Sequence, residues 1–276
     1  MKMMRLTPKS VSWVLAAAAA CIHLLQEGSV SSVSSKDLAF SMSHACPRRG
    51  AWLIAYAGLE LGTSPTAHAF DNAIGKRREP KQSGVQPPDL GLAERPGLED
   101  QRRLKPCMSR RLNANCFSTT YDQIIDDGIR SLQPWQFYGK SPGAAFNEIL
   151  NVVSAYPPGQ QGIDGGGFEI QATELRYVYV QFESLKKGYI DDVEFAVQPG
   201  SSNATSGIVL IRSSSRQGKR DYGVNALRLN LIAKELSKLG GWTAPTISPQ
   251  THPLYWKENC RIESVQEAFP EYCETT

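Results

Sequence analysis

Four short segments between Phe168 and Ser213 constrain the fold of this chain more than any other feature. Apolar and polar side chains alternate along residues 168–172, 176–182, 190–197 and 207–213, and turns rich in Gly, Lys, Pro and Ser separate these segments. An alternation with a period of two is typical of half-buried β-strands, and strands joined by short turns pair as antiparallel neighbours. The sequence therefore predicts an antiparallel meander of about four strands.

Two further segments have the apolar spacing of amphipathic helices. The first runs from Ala144 to Val153, after Ser141-Pro142 and before a Pro-Pro-Gly sequence. The second runs from Tyr222 to about Leu239, with Asp221 as a candidate N-cap and two glycines that end it. The predicted fold class is α+β, with the helices packed on one face of the sheet.

The predicted strands separate into two faces, because successive side chains of a strand point in opposite directions. We expect the helices to cover an apolar face made of Val178, Val180, Phe182, Val193, Phe195, Val209 and Ile211. The opposite face is a candidate binding face made of Tyr177, Tyr179, Gln181, Asp192, Glu194 and Arg212. If the turn at 198–206 is centred near Ser202, Asp192 lies opposite Arg212, Gln181 beside Asp192, and Tyr179 beside Glu194. This face is either a solvated surface with a cross-strand ion pair or a groove for a ligand or partner.

The first 69 residues have the composition of targeting signals. Arg48-Arg49 precedes a modest apolar segment that ends at Ala67-His68-Ala69, as in a twin-arginine export signal with its cleavage site. Upstream lie a basic and apolar segment typical of a signal peptide and a Phe40 segment similar to a transit peptide. We expect residues 1–69 to direct the chain to the thylakoid lumen of a plastid acquired by secondary endosymbiosis, and to be removed. The alternative is one signal peptide followed by a pro-segment.

Removal of the targeting segment changes the net charge. The full chain has 30 basic and 27 acidic residues, whereas residues 70–276 have 24 of each. A neutral chain has no overall preference for nucleic acid, so we expect no nucleic-acid partner. Residues 70–103 are basic, rich in Pro and Gly and poor in large apolar side chains, which predicts a flexible basic arm. The arm is either a linker or a segment that docks on an acidic complex or an anionic lipid surface.

A single domain over 104–241 and a C-terminal tail over 242–276 account for the remaining chain. Four cysteines lie in it. Two disulfides, Cys107–Cys116 and Cys260–Cys273, are the simplest of three possible connectivities, and an exported protein encounters compartments that permit them. The alternatives are a reactive redox pair or a zinc site, although the Cys-x-x-Cys spacing of zinc sites is missing. We predict no metal and no cofactor.

Three motifs lie close together within and after the predicted strands. They are Asp-Asp-x-Glu-Phe at 191–195, Arg-Ser-x-Ser-Arg at 212–216 and Asp-x-Gly-x-Asn-x-x-Arg at 221–228. Over roughly Leu104 to Leu239 the chain resembles the domain of unknown function family fourteen ninety-nine (DUF1499). Cys107 and Cys116 fit the N-terminal cysteine pair of that family, with a longer spacing, and the family need not share the segment from Trp242 onward. The resemblance implies a plastid or bacterial-envelope protein without an assigned reaction.

The motif residues have two interpretations, a structural one and a functional one. We favour a structural role in which they fix the connection between strand and helix through capping and charge-assisted hydrogen bonds. The residues concerned are Asp191, Ser213, Ser215, Arg216, Asp221, Asn225 and Arg228.

Enzymatic function has little support in the sequence. His252 is the one histidine after residue 69, and no Gly-x-Ser-x-Gly sequence is present. Gly165-Gly166-Gly167 precedes a strand, so we predict a turn and not a phosphate-binding loop. The first functional hypothesis is a non-catalytic auxiliary or assembly factor that binds a thylakoid membrane complex, with at most peripheral membrane contact. It would use the arm, the candidate binding face or the tail from Trp242 to Trp256. The alternative is a small-ligand carrier or hydrolase-type enzyme with a pocket on the candidate binding face, beneath that tail.

Overall fold

An antiparallel sheet of seven strands forms the centre of the protein. The computed structural model describes residues 69–94, 102–107, 113–120, 129–200 and 205–274, all of which belong to one compact unit, residues 64–276. The strands are β1 (Cys116–Ser118), β2 (Trp135–Tyr138), β3 (Phe168–Glu174), β4 (Tyr177–Glu183), β5 (Ile190–Pro199), β6 (Ser206–Ser215) and β7 (Trp242–Thr243). Their order is β3-β4-β5-β6-β2-β7, and β1 pairs with the other half of β6.

The prediction of about four strands was too low. The four predicted segments are β3 to β6, which are neighbours in the sheet, but three more strands extend it beyond β6. Strands β1, β2 and β7 contain only three, four and two residues. Such short segments do not show a recognisable alternation in the sequence, so only the tertiary structure identifies them.

Two long helices cover one face of the sheet, and the α+β class is confirmed. They are α1 (Pro142–Ser154) and α2 (Val224–Lys238). The hydroxyl of Ser141 accepts a hydrogen bond from the amide of Ala144 at 3.2 Å and caps α1. The apolar face predicted from the sequence packs against both helices in one core with Val178, Val180, Phe182, Val193, Phe195, Val209 and Ile211 buried.

Helix α2 begins two residues later than predicted. Tyr222 and Gly223 both have positive φ, at 62° and 80°, so neither continues a right-handed helix. Asp221 still serves the helix N-terminus, because its carboxylate accepts hydrogen bonds from the amides of Gly223 at 3.1 Å and Asn225 at 3.2 Å. At the other end, Gly240 and Gly241 have φ values of 70° and 67° and end the helix as predicted.

The C-terminal tail contributes to the same core. It contains α3 (Pro253–Asn259), α4 (Glu263–Ala268) and α5 (Pro270–Cys273). Tyr255 and Trp256 are fully buried, and Trp256 stacks on Tyr272 with ring centroids 4.2 Å apart. Both predicted disulfides are present, Cys107–Cys116 and Cys260–Cys273. The second disulfide ties α5 to the end of α3.

The described part of the arm lies along the protein as irregular chain with several turns and bends. It contains no helix, and its one β-contact is an antiparallel bridge between Ala93 and Arg103. Leu90 and Leu92 pack against Tyr177, Tyr179 and other buried residues on the face of the sheet opposite the helices. The sheet therefore has two covers, helices on one face and the arm on the other. Among the described residues, no helix is long and apolar enough to span a membrane.

Candidate functional site

Strands β5 and β6 distribute the motif side chains over both faces of the sheet. The predicted pairings of Gln181 with Asp192 and of Tyr179 with Glu194 are confirmed. The predicted pairing of Asp192 with Arg212 is wrong by two residues, because Arg212 lies opposite Glu194. The hairpin is centred at position 203 instead of 202, and a shift of one residue in the centre changes each pairing by two.

On the helix side, Arg228 of α2 joins two carboxylates that are distant in sequence. Its guanidinium donates to Asp164 at 2.5 and 2.9 Å and to Asp191 at 2.7 Å. Arg228 is fully buried, and its guanidinium also lies 4.6 Å from the centre of the Phe182 ring. The hydroxyl of Tyr156 donates to Asp164 at 2.6 Å. A buried arginine requires such partners, because an unpaired charge in a dry interior is very unfavourable.

Asn225 connects this arginine to the strand and to the start of α2. Its side-chain oxygen accepts from Arg228 at 2.9 Å and from the hydroxyl of Ser213. Its amide group donates to Asp221 at 2.7 Å and to Ser215 at 3.2 Å. We call Asp164, Asp191, Ser213, Ser215, Asp221, Asn225 and Arg228 the helix-side network. Each member forms a hydrogen bond or an ion pair with other residues of the chain.

Two carboxylates of the helix-side network have raised pKa values. Burial raises the pKa of Asp221 to about 6, and hydrogen bonds from Tyr255 and Asn225 oppose the rise. The hydroxyl of Tyr255 donates to both oxygens of Asp221, at 2.8 and 2.9 Å. Burial also raises the pKa of Asp191, against the effect of the nearby Arg228. Burial, and not repulsion between the carboxylates, is the main cause in both cases.

On the arm side, Glu194 lies at the centre of one polar group. Its carboxylate accepts from the hydroxyl of Tyr177 at 2.9 Å and from the backbone amide of Gly91 at 2.7 Å. Arg212 contributes an ion pair at 3.4 Å. Burial raises the pKa of Glu194, and the amide of Gly91 is the strongest opposing contact. The arm thus contacts a motif carboxylate directly through its main chain.

Asp192 is the centre of a second, similar group two residues away. Its oxygens accept from Nε and Nη2 of Arg216 at 2.9 and 2.7 Å, and from the hydroxyl of Tyr179 at 2.6 Å. The side chain of Gln181 donates to the same hydroxyl at 2.7 Å. Burial, followed by the hydrogen bond to Asp192, raises the pKa of Tyr179 far above its usual range. The two groups repeat one arrangement, in which a carboxylate lies between a tyrosine and an arginine.

The arm holds its position partly through a buried carboxylate. Glu183 at the end of β4 is fully buried and forms ion pairs with Arg77 and with Lys81, the latter at 2.6 Å. Both cations belong to the arm. Because Glu183 is at least 100 residues from either cation in sequence, this contact fixes the arm to the sheet only after folding.

The start of the arm is hydrogen-bonded to the Gly165–Gly167 turn. The amides of Phe70 and Ile74 donate to the carbonyls of Gly166 at 3.1 Å and Gly165 at 3.0 Å. The side chain of Asn72 accepts from the amide of Phe168 at 2.8 Å. A Cβ atom at Gly167, where φ is +86°, would lie only 2.2 Å from the Asn72 oxygen. The predicted turn is present, and its glycines allow the arm to approach the backbone closely.

The structure brings together the six residues of the candidate binding face, with five of them buried and Gln181 half-buried. Asp192 and Glu194 are 0% exposed and Arg212 is 4% exposed. The expectation of a solvated or open face is wrong because the arm covers it. The alternative of a pocket beneath the C-terminal tail is wrong as well, because the tail packs in the core on the helix side. Arg48, Arg49 and Ala67 lie outside the described residues.

Sequence analysis missed three residues that complete these groups, namely Asp164, Glu183 and Gly91. Asp164 follows no motif and adopts a positive φ of 54°, which few residues other than Gly, Asn and Asp tolerate. Glu183 ends a strand in a turn rich in lysine, so it resembled a surface residue. Gly91 contributes a backbone amide, which no side-chain pattern reveals. The one signal for these polar groups in the sequence was the strand alternation, which places Asp191 and Asp192 on opposite faces of the sheet.

Two other features have no catalytic arrangement. The Nε2–H of His252 donates to the carbonyl of Ser131 at 3.0 Å, and burial lowers the pKa of His252. A groove of about 580 Å³ lies between α1 and α2, lined by residues such as Val152, Ala155, Leu231 and Leu239. Glu148 lies at the rim of this groove, and its carboxylate accepts hydrogen bonds from the ammonium of Lys140 and the indole N–H of Trp242, each at 2.6 Å. Across the described ranges, no group of three or more His, Cys, Asp or Glu side chains has a metal-binding arrangement.

The fold and these polar groups define an α+β domain whose sheet has buried ionic clusters on both faces. Residues 103–236 match the family model described as protein of unknown function (DUF1499), and this domain is a member of that family. The match ends before Trp242, so the tail lies outside it, as does nearly all of the arm. No curated protein and no solved structure has significant similarity to the chain.

Proposed function

We propose that this protein is a non-catalytic auxiliary or assembly factor of the thylakoid lumen that binds a photosynthetic membrane complex. The observation that carries the proposal is the internal use of the motif side chains. Asp191, Asp192, Glu194 and Arg228 are buried and bonded to other residues of the same chain. Carboxylates and arginines paired in this way stabilise a fold and are not free to act as catalytic acids or bases, which favours a non-catalytic binding role.

The compartment is proposed on two grounds. The pattern of residues 1–69 is that of a three-stage address that ends with a twin-arginine signal. The two disulfides are consistent with an exported protein, because disulfides persist where the surroundings are oxidising.

We assign the partner-binding surface to one end of the sheet, where the arm wraps around the turn between β4 and β5. The amide of Gln82 donates to the carbonyl of Lys187 at 2.9 Å, and Glu79 forms an ion pair with Lys187. Lys76, Arg78 and Lys186 are exposed there and form no ion pair with the described residues. Ile74, 61% exposed, adds an apolar side chain. We call Ile74, Lys76, Arg78 and Lys186 the basic end.

Unpaired cations beside an exposed apolar side chain fit an acidic protein surface on a membrane complex. Such a patch steers an acidic partner toward the protein, and the attraction decreases as salt is added. The basic end would act as the docking surface of a protein whose residues 70–276 have no net charge overall.

The test is crosslinking in isolated thylakoids. The tagged precursor is expressed in an alga with a plastid of this type, the lumen is isolated, and crosslinked neighbours are identified by mass spectrometry. We expect reproducible crosslinks from the basic end to one membrane complex. Recovery of the protein outside thylakoids would contradict the proposed compartment, and an absence of neighbours would contradict the binding role.

A charge-reversal variant makes this test specific. Lys76→Glu, Arg78→Glu and Lys186→Glu together should abolish the crosslinks and leave the fold intact. The matched control carries the same change of charge at Lys219, Lys234 and Lys257, which are exposed elsewhere on the protein. If both variants lose the partner equally, net charge and not the basic end determines binding.

A further inference from the structure

The arm lies across the sheet in the manner of a bound peptide. Between Gly84 and Leu92 it forms neither helix nor strand, and it contains a turn at residues 88–89 and a bend at residues 91–92. Leu90 and Leu92 pack on Tyr177, Tyr179, Ala196 and Leu210, whereas Val85 is 88% exposed. The chain bends at Gly91, where φ is +90°, and both leucine side chains pack on the sheet as apolar anchors. Apolar anchor side chains of this kind are common in peptide recognition.

Main-chain contacts fix the position of this segment on the sheet. The amide of Gly91 donates to the buried carboxylate of Glu194 at 2.7 Å, and the side chain of Gln217 donates to the carbonyl of Gln82 at 2.8 Å. Main-chain hydrogen bonds do not depend on the side chains of the bound segment, so they add affinity to the packing of the two leucines. A hydrogen bond to an ionised carboxylate is stronger than one between neutral groups.

The sequence of the arm segment is suited to binding in this bent form. It reads Gln86-Pro87-Pro88-Asp89-Leu90-Gly91-Leu92. The prolines restrict φ and so reduce the conformational entropy lost on binding, Gly91 permits the positive φ of the bend, and the two leucines require an apolar or aromatic surface. Tyr177 and Tyr179 provide that surface, with both hydroxyls held by carboxylates.

The surface beneath the arm is suited to a ligand because polar groups are held ready at fixed positions. Glu194 is oriented by Tyr177 and Arg212, and Asp192 by Tyr179 and Arg216. These contacts come from β4, β5, β6 and the residue directly after β6, so they remain when the arm leaves. Preorganised acceptors of this kind lower the cost of binding.

We propose that this face of the sheet is a peptide-binding site, that the arm occupies it as an intramolecular ligand, and that a proline- and leucine-containing segment of a partner protein replaces the arm. The partner segment carries two leucine-type side chains at positions i and i+2, preceded by prolines, with an amide between them for Glu194. This site lies beneath the arm and is separate from the basic end, so it does not depend on the proposed lumenal role.

The test measures binding of a fluorescein-labelled synthetic peptide, residues 82–94 of this chain, by fluorescence anisotropy to the purified full chain. An arm on the same chain competes at high effective concentration, so the intact protein should bind the peptide weakly. In an Arg77→Glu and Lys81→Glu variant, both contacts to Glu183 become repulsive and the arm is loosened. We expect this variant to bind the peptide at least about 10-fold more tightly than the intact protein.

Two matched changes identify the site. A peptide with Leu90→Asp and Leu92→Asp should lose saturable binding, because it places charges on the tyrosine surface. In the loosened protein, Glu194→Gln should weaken the unchanged peptide by about 10-fold or more, since a hydrogen bond to an ionised group is lost. A second loosened variant, Gly167→Ala, displaces the start of the arm through Asn72 and leaves Glu183 intact, which covers the case where the first variant does not fold.

Three outcomes would overturn the proposal. Hydrogen exchange that shows a released arm, together with no saturable peptide binding, would mean that no peptide site exists. Equal affinity of the intact and loosened proteins would place the peptide elsewhere. A concentration-dependent dimer that the peptide cannot dissociate would assign the face to a second copy of this chain and not to a partner segment.

Discussion

Asp191 and Asp192 are consecutive in β5, yet their carboxylates bind different arginines on opposite faces of the sheet. Asp191 accepts from Arg228 at 2.7 Å beneath the helices, and Asp192 accepts from Arg216 at 2.7 Å beneath the arm. The pleat of the strand causes this separation, because neighbouring side chains point in opposite directions. The Asp191-Asp192 dipeptide thus contacts polar groups on both faces of the sheet. It links the side beneath the helices and the side beneath the arm to the same strand.

The Arg228 ion pairs give the first prediction. Arg228→Met keeps much of the side-chain volume but leaves Asp164 and Asp191 buried without their cation. We expect the free energy of unfolding to fall by about 3–5 kcal/mol, as for other buried pairs that lose one partner. Urea denaturation measures the change. Lys238→Ala, which removes an exposed ion pair with Glu235, is the control and should cost less than about 1 kcal/mol. Equal effects of the two changes would contradict the prediction.

The contact between Gly167 and the arm gives the second prediction. Gly167→Ala introduces a Cβ 2.2 Å from the Asn72 oxygen at a positive φ, so we expect about 1–3 kcal/mol of destabilisation and faster hydrogen exchange at residues 70–74. Gly162→Ala has a similar φ of +77° but meets no atom within 4 Å, and it serves as the control for backbone strain. If both variants release the arm to the same extent, the close contact is not what matters.

Asp221 gives a prediction about pH. Its pKa is raised from 3.8 to about 6 in the folded protein, so the folded state binds the proton more tightly than the unfolded state. The resulting stability is fully present below pH 3.8 and is lost as the pH rises through about 6. Over that range, the stability of the wild type relative to Asp221→Asn should decrease by on the order of 2–3 kcal/mol.

Urea denaturation at a series of pH values between 3.5 and about 7.5 tests this effect of Asp221. The comparison with Asp221→Asn cancels the contributions of His252, Asp191 and Glu194 to the extent that they titrate alike in both proteins. A stability difference that does not change with pH would show that Asp221 is not the group responsible.

The Cys260–Cys273 disulfide gives the fourth prediction. It closes a segment of 13 residues and ties α5 to α3, next to the stacked pair of Trp256 and Tyr272. Cys260→Ser with Cys273→Ser should lower the free energy of unfolding by about 2–4 kcal/mol. The fluorescence of Trp256 should also change, since Tyr272 is no longer held against it. Thermal unfolding with and without a reductant provides the control, because the reductant should have little effect at this site in the double variant.

The two long helices, the four central strands and both disulfides follow from local patterns in the sequence. The apolar positions of β4, β5 and β6 appear with a period of two, and those of α1 and α2 with a helical period, so each element shows which side it buries. The cysteine pairs are close in sequence, which made their pairing the simplest choice. The short strands β1, β2 and β7 left no such pattern, and their place beside β6 depends on contacts between distant segments.

The sequence by itself determined the alternation that sends Asp191 to one face of the sheet and Asp192 and Glu194 to the other. Only the tertiary structure decided what lies on each face. Arg228 pairs with Asp164, which is 64 residues away in sequence, and Arg77 pairs with Glu183, which is 106 residues away. Local composition does not reveal contacts over such separations. The basic arm looked like a flexible segment because it cannot form a core of its own. It becomes ordered because the sheet supplies the buried carboxylates and the tyrosine surface that the arm lacks.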